Sequence, residues 1–221
     1  MIKLASHNSW SYAKPQKWYI PRFPVRCQSL NIPQQYQQGV RLFDLRLRLD
    51  SKLHFATAHG SCIFRTYWSQ DLLWLNIQQE SIYVRVTLEY NHRPKNAEYI
   101  IARFRQLCMI LESRYPSLHF FGGRAKWSWE VLYTFSNSEP LLLDRYSSTT
   151  SWFRSSNRIL RIIDDWWPWL YARFHNRRNY QNYIHQHPDD ESTTPWLFLD
   201  FITPHLTLNT PQKIHIERIQ A

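Results

Sequence analysis

Glycine and cysteine are both scarce in this chain of 221 residues. There are four glycines, and because glycine adopts backbone conformations that other residues avoid, we expect each to have a backbone role. The three cysteines, Cys27, Cys62 and Cys108, are odd in number and form no C-x-x-C pair. The sequence therefore indicates neither a disulfide framework nor a zinc knuckle.

Long apolar segments are also absent. No apolar run reaches the roughly 18 residues that a membrane-spanning helix requires. Residues 1–6 are too short for a secretory signal, so we expect a protein that stays inside the cell or one whose leader has been removed. The expected location is cytoplasmic, with peripheral membrane contact.

Acidic residues are few relative to basic ones, 17 against 27, and the net charge is +10. This balance favours an anionic partner such as nucleic acid, an anionic membrane or a phosphorylated substrate. The sequence shows no zinc finger, helix-turn-helix or RNP motif, so no nucleic-acid partner is expected. Hydrophobic residues at 43% and charged residues at 20% are typical of a globular chain, which we treat as one domain over residues 1–221.

Residues 39–60 contain two strand-like segments on either side of a polar turn. Side chains alternate along a strand, so Asp44 and Arg46 share one face of the first segment while its other face is apolar. A surface strand with one wet face would show the same pattern. The second segment ends in His59-Gly60, and an earlier strand-like segment ends in His7-Asn8-Ser9.

Helical and strand-like segments alternate along the rest of the chain. The predicted strands are 2–7, 40–48, 53–58, 82–89, 141–146 and 196–202, and the predicted helices are 31–38, 69–79, 96–114, 128–135 and 157–183. The Gly122-Gly123 pair predicts a turn. Strands interleaved with helices favour a mostly parallel sheet.

Three of these motifs carry a resemblance to a known family. His7-Asn8-Ser9, then residues 39–46, then His59-Gly60 resemble in order and spacing the X-region of phosphatidylinositol-specific phospholipases C. Residues 86–91 and 141–146 resemble two later strands of that family more loosely. The resemblance implies an α/β fold, a TIM-type barrel. With only six or seven strands predicted instead of eight, an incomplete or distorted barrel is allowed for.

The active site of such a barrel lies at the C-terminal ends of its strands. Seven polar side chains are predicted to converge on this rim, each at or near a strand end: His7, Asp44, Arg46, His59, Glu89, Arg145 and Asp200.

The reaction that the resemblance suggests is cleavage of an inositol phosphodiester. The inositol 2-hydroxyl would attack phosphorus and expel diacylglycerol, which requires a general base and a general acid. Imidazole suits both roles, and by position His7 resembles the base and His59 the acid. Asp200 would orient His7, and Asp44 would hold the ion-pair geometry around the phosphate.

Charge on the phosphate oxygens must meet a cation, and the resemblance leaves two candidates for it. Arg46 resembles the arginine of metal-independent bacterial members. Asn8, Asp44 and Glu89 stand where calcium-dependent members have ligands, but Ca²⁺ takes six to eight oxygens and these residues supply few. We predict no metal cofactor, with Ca²⁺ as the alternative. Without a metal, Asn8, Glu89 and Arg145 are expected to bind substrate.

Two other functions compete with this interpretation. One is an inactive barrel that binds phosphoinositide headgroups, which would have no need of the histidine pair. The other is a different lipid phosphodiesterase that uses an acidic metal cluster, which Arg46 disfavours.

The predicted loop over residues 10–29 is rich in aromatic and basic side chains. Trp10, Trp18 and Tyr19 stand among Lys14, Lys17 and Arg22. Indole rings settle at the level of lipid headgroups and basic residues are attracted to anionic lipids. The loop is therefore predicted to contact a membrane next to the active site. The partner is a phosphatidylinositol-type lipid, and the sequence does not indicate an oligomeric state.

Overall fold

The computed structural model describes residues 3–21, 25–143, 168–186 and 195–202. Within these ranges the strands are β1 (Leu4–Ser6), β2 (Val40–Leu49), β3 (Phe55–His59), β4 (Cys62–Ile63), β5 (Ile82–Leu88), β6 (Leu118–Ala125), β7 (Leu142–Leu143) and β8 (Trp196–Leu199). The helices are α1 (Ile32–Gln37), α2 (Trp68–Asn76), α3 (Ala97–Arg114) and α4 (Pro168–Gln186), and a 3₁₀ helix spans Ser9–Tyr12. In this part of the chain no helix is both long and apolar enough to span a bilayer.

Six strands form one curved parallel sheet in the order β6-β5-β2-β1-β8-β7. This arrangement confirms the predicted TIM-type α/β architecture. Among the described residues no pairing joins β6 to β7, so the barrel is not closed there. An incomplete barrel is what the small number of predicted strands allowed for.

The two faces of β2 separate the outer core from the barrel interior. Its outward side chains, such as Phe43 and Leu45, join the large apolar core that includes Phe104 of α3. Inside the barrel a smaller apolar cluster fills the space below the rim: Ala5, Leu42, Phe121, Trp196 and Phe198. Asp44 and Arg46 follow Leu42 on the inward face and are buried above this cluster. The interior is therefore apolar at its floor and polar at its C-terminal rim.

The strand that carries His59 does not run with the others. β3 pairs antiparallel with β2, Leu47 opposite Thr57, so the prediction that His59 ends a parallel barrel strand is wrong. β5 occupies one edge of β2, so β1 and β3 must share the other edge. β1 runs up this edge and β3 runs down it, and they meet at their C-terminal ends. His59 thus reaches the predicted rim from the opposite direction.

The Gly122-Gly123 pair lies inside β6 and makes a bulge, so the predicted turn is wrong. Val86 pairs with Gly122 and Thr87 with Arg124, which leaves Gly123 as the extra residue. Both glycines have positive φ, and a Cβ on Gly123 would lie 2.1 Å from the Tyr133 carbonyl oxygen. The Gly123 carbonyl accepts from the backbone N–H groups of residues 132 and 133. Residues 128–135 therefore fold back on β6 and do not form the predicted helix.

Local signals in the sequence locate the other helices well. Asn31 caps α1 with a capping box to Gln34, and Gly39 follows the helix with φ of 90°. α2 and α3 begin and end close to the predicted bounds. The part of the predicted fifth strand after residue 143 lies outside the described residues, and so does the part of the predicted last helix before residue 168.

Candidate active site

His7 stands just past the end of β1 and its ring is held from both sides. Nδ1 lies 2.6 Å from an oxygen of Asp200, and Nε2 lies 2.7 Å from Nη2 of Arg46. Arginine has no acceptor atom, so Nε2 of His7 must accept this bond. The ring is therefore the tautomer with its proton on Nδ1, donated to Asp200, and with a lone pair on Nε2.

Asp44 is fully buried between two guanidinium groups. Arg46 Nε donates to one carboxylate oxygen at 2.7 Å, and Arg85 Nε donates to the other at 2.9 Å. Burial alone would raise the pKa of Asp44, but the two cations outweigh it and hold that pKa well below its usual range. Asp44 is thus a fixed anion that positions both arginines, and the Arg85 guanidinium also stacks on Phe198 at 4.4 Å.

Glu89 follows β5 directly and is the second buried carboxylate of the site. Arg46 Nη1 lies 3.5 Å from one of its oxygens, while the other accepts from Lys126 Nζ and from the Gly60 N–H group. Burial would raise the pKa of Glu89, and the charges of Arg46 and Lys126 lower it below its usual value. Arg46 therefore bridges Asp44 and Glu89.

His59 lies opposite His7, and the space between their rings is the candidate substrate cleft. The two ring centroids are 6.5 Å apart and the ring planes are nearly perpendicular, at 86°. Nδ1 of His59 lies 3.0 Å from the Val25 carbonyl oxygen, to which it must donate, so Nε2 is the ring nitrogen left for other chemistry. Burial lowers the pKa of His59 to about 4, partly offset by Glu89 and reinforced by Arg46.

The lowered pKa of His59 has a measurable consequence. We expect its imidazole resonances to titrate near pH 4 in the free protein, and to move to higher pH when an inositol phosphate anion binds beside the ring. The unfolded state then binds more protons than the folded state between about pH 6.5 and 4, so this group stabilises the fold above that window and loses its contribution as the pH falls through it. NMR titration, with the His59→Ala spectrum for assignment, measures both effects. A His59 titration at or above pH 6.5 in the free protein would contradict the expectation.

Asn8 connects the ends of β1, β2 and β3. Its φ of 42° lies in the left-handed region, its N–H group donates to Asp44, and its side-chain amide donates to the Ala58 carbonyl at 3.4 Å. Its Oδ1 atom is buried and has no hydrogen-bond partner in the described part of the chain. Asn8 thus links the strand ends that bear His7 and His59, and its Oδ1 atom could accept a further hydrogen bond.

The predicted site residues that the structure describes lie together on one rim: His7, Asn8, Asp44, Arg46, His59, Glu89 and Asp200. Arg145 lies outside the described residues. Sequence reasoning missed Arg85 and Lys126, which neutralise the two carboxylates. Arg85 had a signal, because it lies four residues before Glu89 and alternation places both on the inward face of β5. Lys126 had none, since it follows a bulge that was interpreted as a turn.

Comparison with solved structures finds bacterial phosphatidylinositol-specific phospholipases C. The enzyme from Listeria monocytogenes is 14% identical, with 93% of this chain and 90% of that chain covered and a TM-score of 0.61. A mutant of the Staphylococcus aureus enzyme is 14% identical, with 92% and 88% covered and a TM-score of 0.55. Another structure of the S. aureus enzyme, concerned with modulation of its membrane binding, has the same identity and coverage with a TM-score of 0.53.

The sequence-level comparisons contrast with this structural likeness. No protein-family model matches the chain, and no curated protein matches it significantly. At 14% identity the structural matches show the fold, over nearly the full length of both chains. The resemblance inferred from a few short motifs is thereby confirmed at the level of the fold.

Proposed function

We propose that this protein cleaves the phosphodiester of phosphatidylinositol-type lipids, releasing diacylglycerol and an inositol cyclic phosphate. The observation that carries the proposal is the pair of imidazoles, His7 and His59, facing each other across 6.5 Å in a barrel that resembles phosphatidylinositol-specific phospholipases C. A barrel that only binds headgroups requires no such pair, because binding needs no proton transfer.

The hydrogen bonds around His7 suit a general base. Asp200 holds the Nδ1 proton, so Nε2 carries the lone pair that would take a proton from the inositol 2-hydroxyl. Asp200 also stabilises the imidazolium that forms. Arg46 donates to the same Nε2 atom, so the incoming phosphate must draw the guanidinium away before the base is free.

His59 lies on the other side of the cleft and is assigned the role of general acid. It is neutral in the free protein at pH 7, because burial lowers its pKa to about 4. A bound phosphodiester brings a negative charge next to the ring and favours its protonated form. The acid is then charged when the leaving oxygen of diacylglycerol needs a proton.

Arg46 is the group that we assign to the phosphate. Its guanidinium lies between two buried carboxylates and touches His7, so it is held close to the place where the base and the phosphate would meet. A positively charged, planar donor group in this position stabilises charge that develops on the non-bridging oxygens. Asn8 and Glu89 flank it, and we assign them to the inositol ring.

We further propose that cleavage needs no metal cofactor. The alternative calcium ligands are Asn8, Asp44 and Glu89, but Arg46 contacts both carboxylates, and Arg85 and Lys126 add two more cations. A divalent cation at this position would have to displace a guanidinium from between its own ligands. The acidic pair therefore fits a guanidinium and not Ca²⁺. The same argument disfavours a phosphodiesterase that depends on an acidic metal cluster.

A phosphorus NMR assay tests the proposed activity. The protein is incubated with phosphatidylinositol vesicles, a choline lipid and a short RNA, each with and without excess EGTA. We expect a cyclic inositol phosphate signal from phosphatidylinositol alone, unchanged by the chelator. Headgroup binding without product would favour the inactive barrel, and cleavage of the choline lipid would favour a different phosphodiesterase.

The aromatic loop before α1 is proposed as the membrane contact. Trp18 is 90% exposed and Tyr19 is 61% exposed, and their rings lie 6.1 Å apart beside Lys17. Residues 14–16 pair with the segment after β4, which places the loop near the His59 hairpin. Trp10 does not belong to this surface: it is fully buried, with its indole N–H donating to Asp71, so its predicted membrane role is wrong.

Removing the exposed indole tests this surface. We expect Trp18→Ala to lower both binding to phosphatidylinositol vesicles and turnover on them. Activity on a soluble monomeric substrate should be unchanged, because the Trp18 ring is largely exposed to solvent. Tyr67→Ala, at another exposed aromatic residue, serves as the control. Equal losses on both substrates would mean that Trp18 shapes the pocket, and unchanged vesicle binding would contradict the interfacial role.

A further inference from the structure

Three side chains of types that bind metal ions well lie close together beside the candidate active site. They are His7 itself, Cys27 and Asp200; all are buried, and one ligand atom of each lies within 4.8 Å of the others. Across the described ranges this is the one group of three or more His, Cys, Asp or Glu side chains with such spacing. Cys27 has no part in the proposed reaction, so its position calls for a separate explanation.

The backbone holds Cys27 firmly beside the histidine–aspartate pair. The Cys27 N–H group donates to Ser11 Oγ at 2.8 Å, and its carbonyl accepts from the Phe201 N–H group. The next residue, Gln28, donates its side-chain amide to the carbonyls of His7 and Leu199 at 3.0 and 2.9 Å. The three segments that bear the candidate ligands are therefore bonded to one another, and the donors are preorganised.

The chemistry of the donors selects the class of cation. One thiol, one imidazole and one carboxylate suit Zn²⁺, which takes S, N and O ligands in a tetrahedron. Ca²⁺ and Mg²⁺ require an all-oxygen shell, which this group does not supply. His59 Nδ1 lies 4.0 Å from Cys27 Sγ but is directed to the Val25 carbonyl, so it is not counted among the ligands.

We propose that His7, Cys27 and Asp200 form a site for Zn²⁺ or a cation of the same thiophilic class, and that its occupation switches off phosphodiester cleavage. The binding rests on this geometry alone; the inhibition also rests on the proposed function. On binding, the Cys27 thiol loses its proton to solvent. His7 Nδ1 gives up its bond to Asp200 and ligates the metal, so the ring proton moves to Nε2.

This tautomer change explains why the metal would inhibit. Nε2 carries a proton in the metal-bound state, so it has no lone pair with which to accept the proton of the inositol hydroxyl. Asp200 is engaged by the cation and no longer orients the ring. Zn²⁺ would therefore remove the base, and because a protonated Nε2 no longer accepts from Arg46, it would also break the bond between His7 and that guanidinium.

Cobalt titration of the untagged full-length protein tests the site directly, with Co²⁺ as the spectroscopic substitute for Zn²⁺. We expect a near-ultraviolet thiolate–Co²⁺ band that disappears when Zn²⁺ displaces the Co²⁺. The Cys27→Ser variant should lack this band, and its affinity for the cation should be at least about tenfold weaker than that of the wild-type protein. Cys62→Ala and Cys108→Ala are matched controls, because both thiols are buried elsewhere and should leave the band intact. Asp200→Asn is a second variant for weakened binding if Cys27→Ser fails to fold.

Two outcomes would overturn the site: no thiolate band in the wild-type protein, or a band that persists in Cys27→Ser. Titration does not depend on turnover, so it decides the metal site even if phosphatidylinositol is not cleaved. Where cleavage is observed, Zn²⁺ should inhibit it over the concentration range in which it displaces Co²⁺, and Cys27→Ser should retain basal activity but resist Zn²⁺ at least about tenfold better. Equal inhibition of wild type and Cys27→Ser would overturn the regulatory part.

Discussion

Replacing His7 or His59 by alanine is expected to slow phosphatidylinositol cleavage by about 10²- to 10⁴-fold, the usual contribution of a positioned acid or base. Each ring has its own hydrogen-bond partner and faces the cleft from its own strand end, His7 through Asp200 and His59 through the Val25 carbonyl. Because the two groups are proposed to act in one reaction, the double variant should lose much less than the product of the two single losses.

The control for this experiment is His54→Ala, which removes an exposed imidazole from the turn of the same β2–β3 hairpin. It should leave turnover and circular dichroism unchanged. Rates are best compared at saturating lipid, with vesicle binding measured separately, so that a binding defect is not mistaken for a chemical one. Near-normal turnover in either histidine variant would remove that residue from the mechanism.

Arg46 variants are expected to give the second large effect. Arg46→Gln removes the cation that we assign to the phosphate, and cleavage should fall by at least 10²-fold, in the range of losing one preorganised donor at a developing charge. Removing one partner of a buried ion pair also costs about 3–5 kcal/mol of stability, although Arg85 still compensates Asp44 here. Denaturant unfolding should accompany every rate measurement.

Arg46→Asp distinguishes the two views of the site. It places a third carboxylate beside Asp44 and Glu89, close to Asn8, whose Oδ1 atom is buried without a hydrogen-bond partner in the described residues. We expect calcium to restore part of the activity of this variant, because the site then holds three carboxylates and only two positively charged side chains. Neither Arg46→Gln nor Arg41→Gln, a control at the far end of β2, should respond to calcium.

The wild-type protein supplies the decisive comparison for this pair of variants. Its cleavage should be insensitive to EGTA and to added calcium. Complete loss of activity on chelation, restored by calcium, would reverse the proposal and make Asn8, Asp44 and Glu89 metal ligands.

Most of the barrel follows from local signals in the sequence. Alternation along β2 places Asp44 and Arg46 on the inward face, and the same parity identifies Glu89 directly after β5. Asp200 was placed beside His7 because the last strand of a barrel must neighbour the first, and β8 does pair with β1. These predictions succeed because strand periodicity and barrel closure constrain side chains strongly.

The parts that could not be predicted depend on tertiary contacts. The direction of β3 is an exception that was predictable: only four residues separate the predicted strands 40–48 and 53–58, and so short a connection allows an antiparallel hairpin but no parallel crossover. The glycines of β6 are typical of turns as much as of bulges, and only the pairing with β5 distinguishes the two. Cys27 lies in an irregular segment without periodicity, and its approach to His7 and Asp200 depends on the bonds made by Ser11 and Phe201.

The meeting of β1 and β3 along one edge of β2 means that the distance between the His7 and His59 rings changes only in steps when a strand slips. A strand that keeps its facing can slip along its neighbour only by two residues, about 7 Å at 3.4 Å per residue. That step exceeds the 6.5 Å between the two imidazole centroids. A slip toward β1 would bring the two rings together and a slip away would double their separation, so the length of the β2–β3 hairpin sets the spacing that the proposed acid–base pair requires.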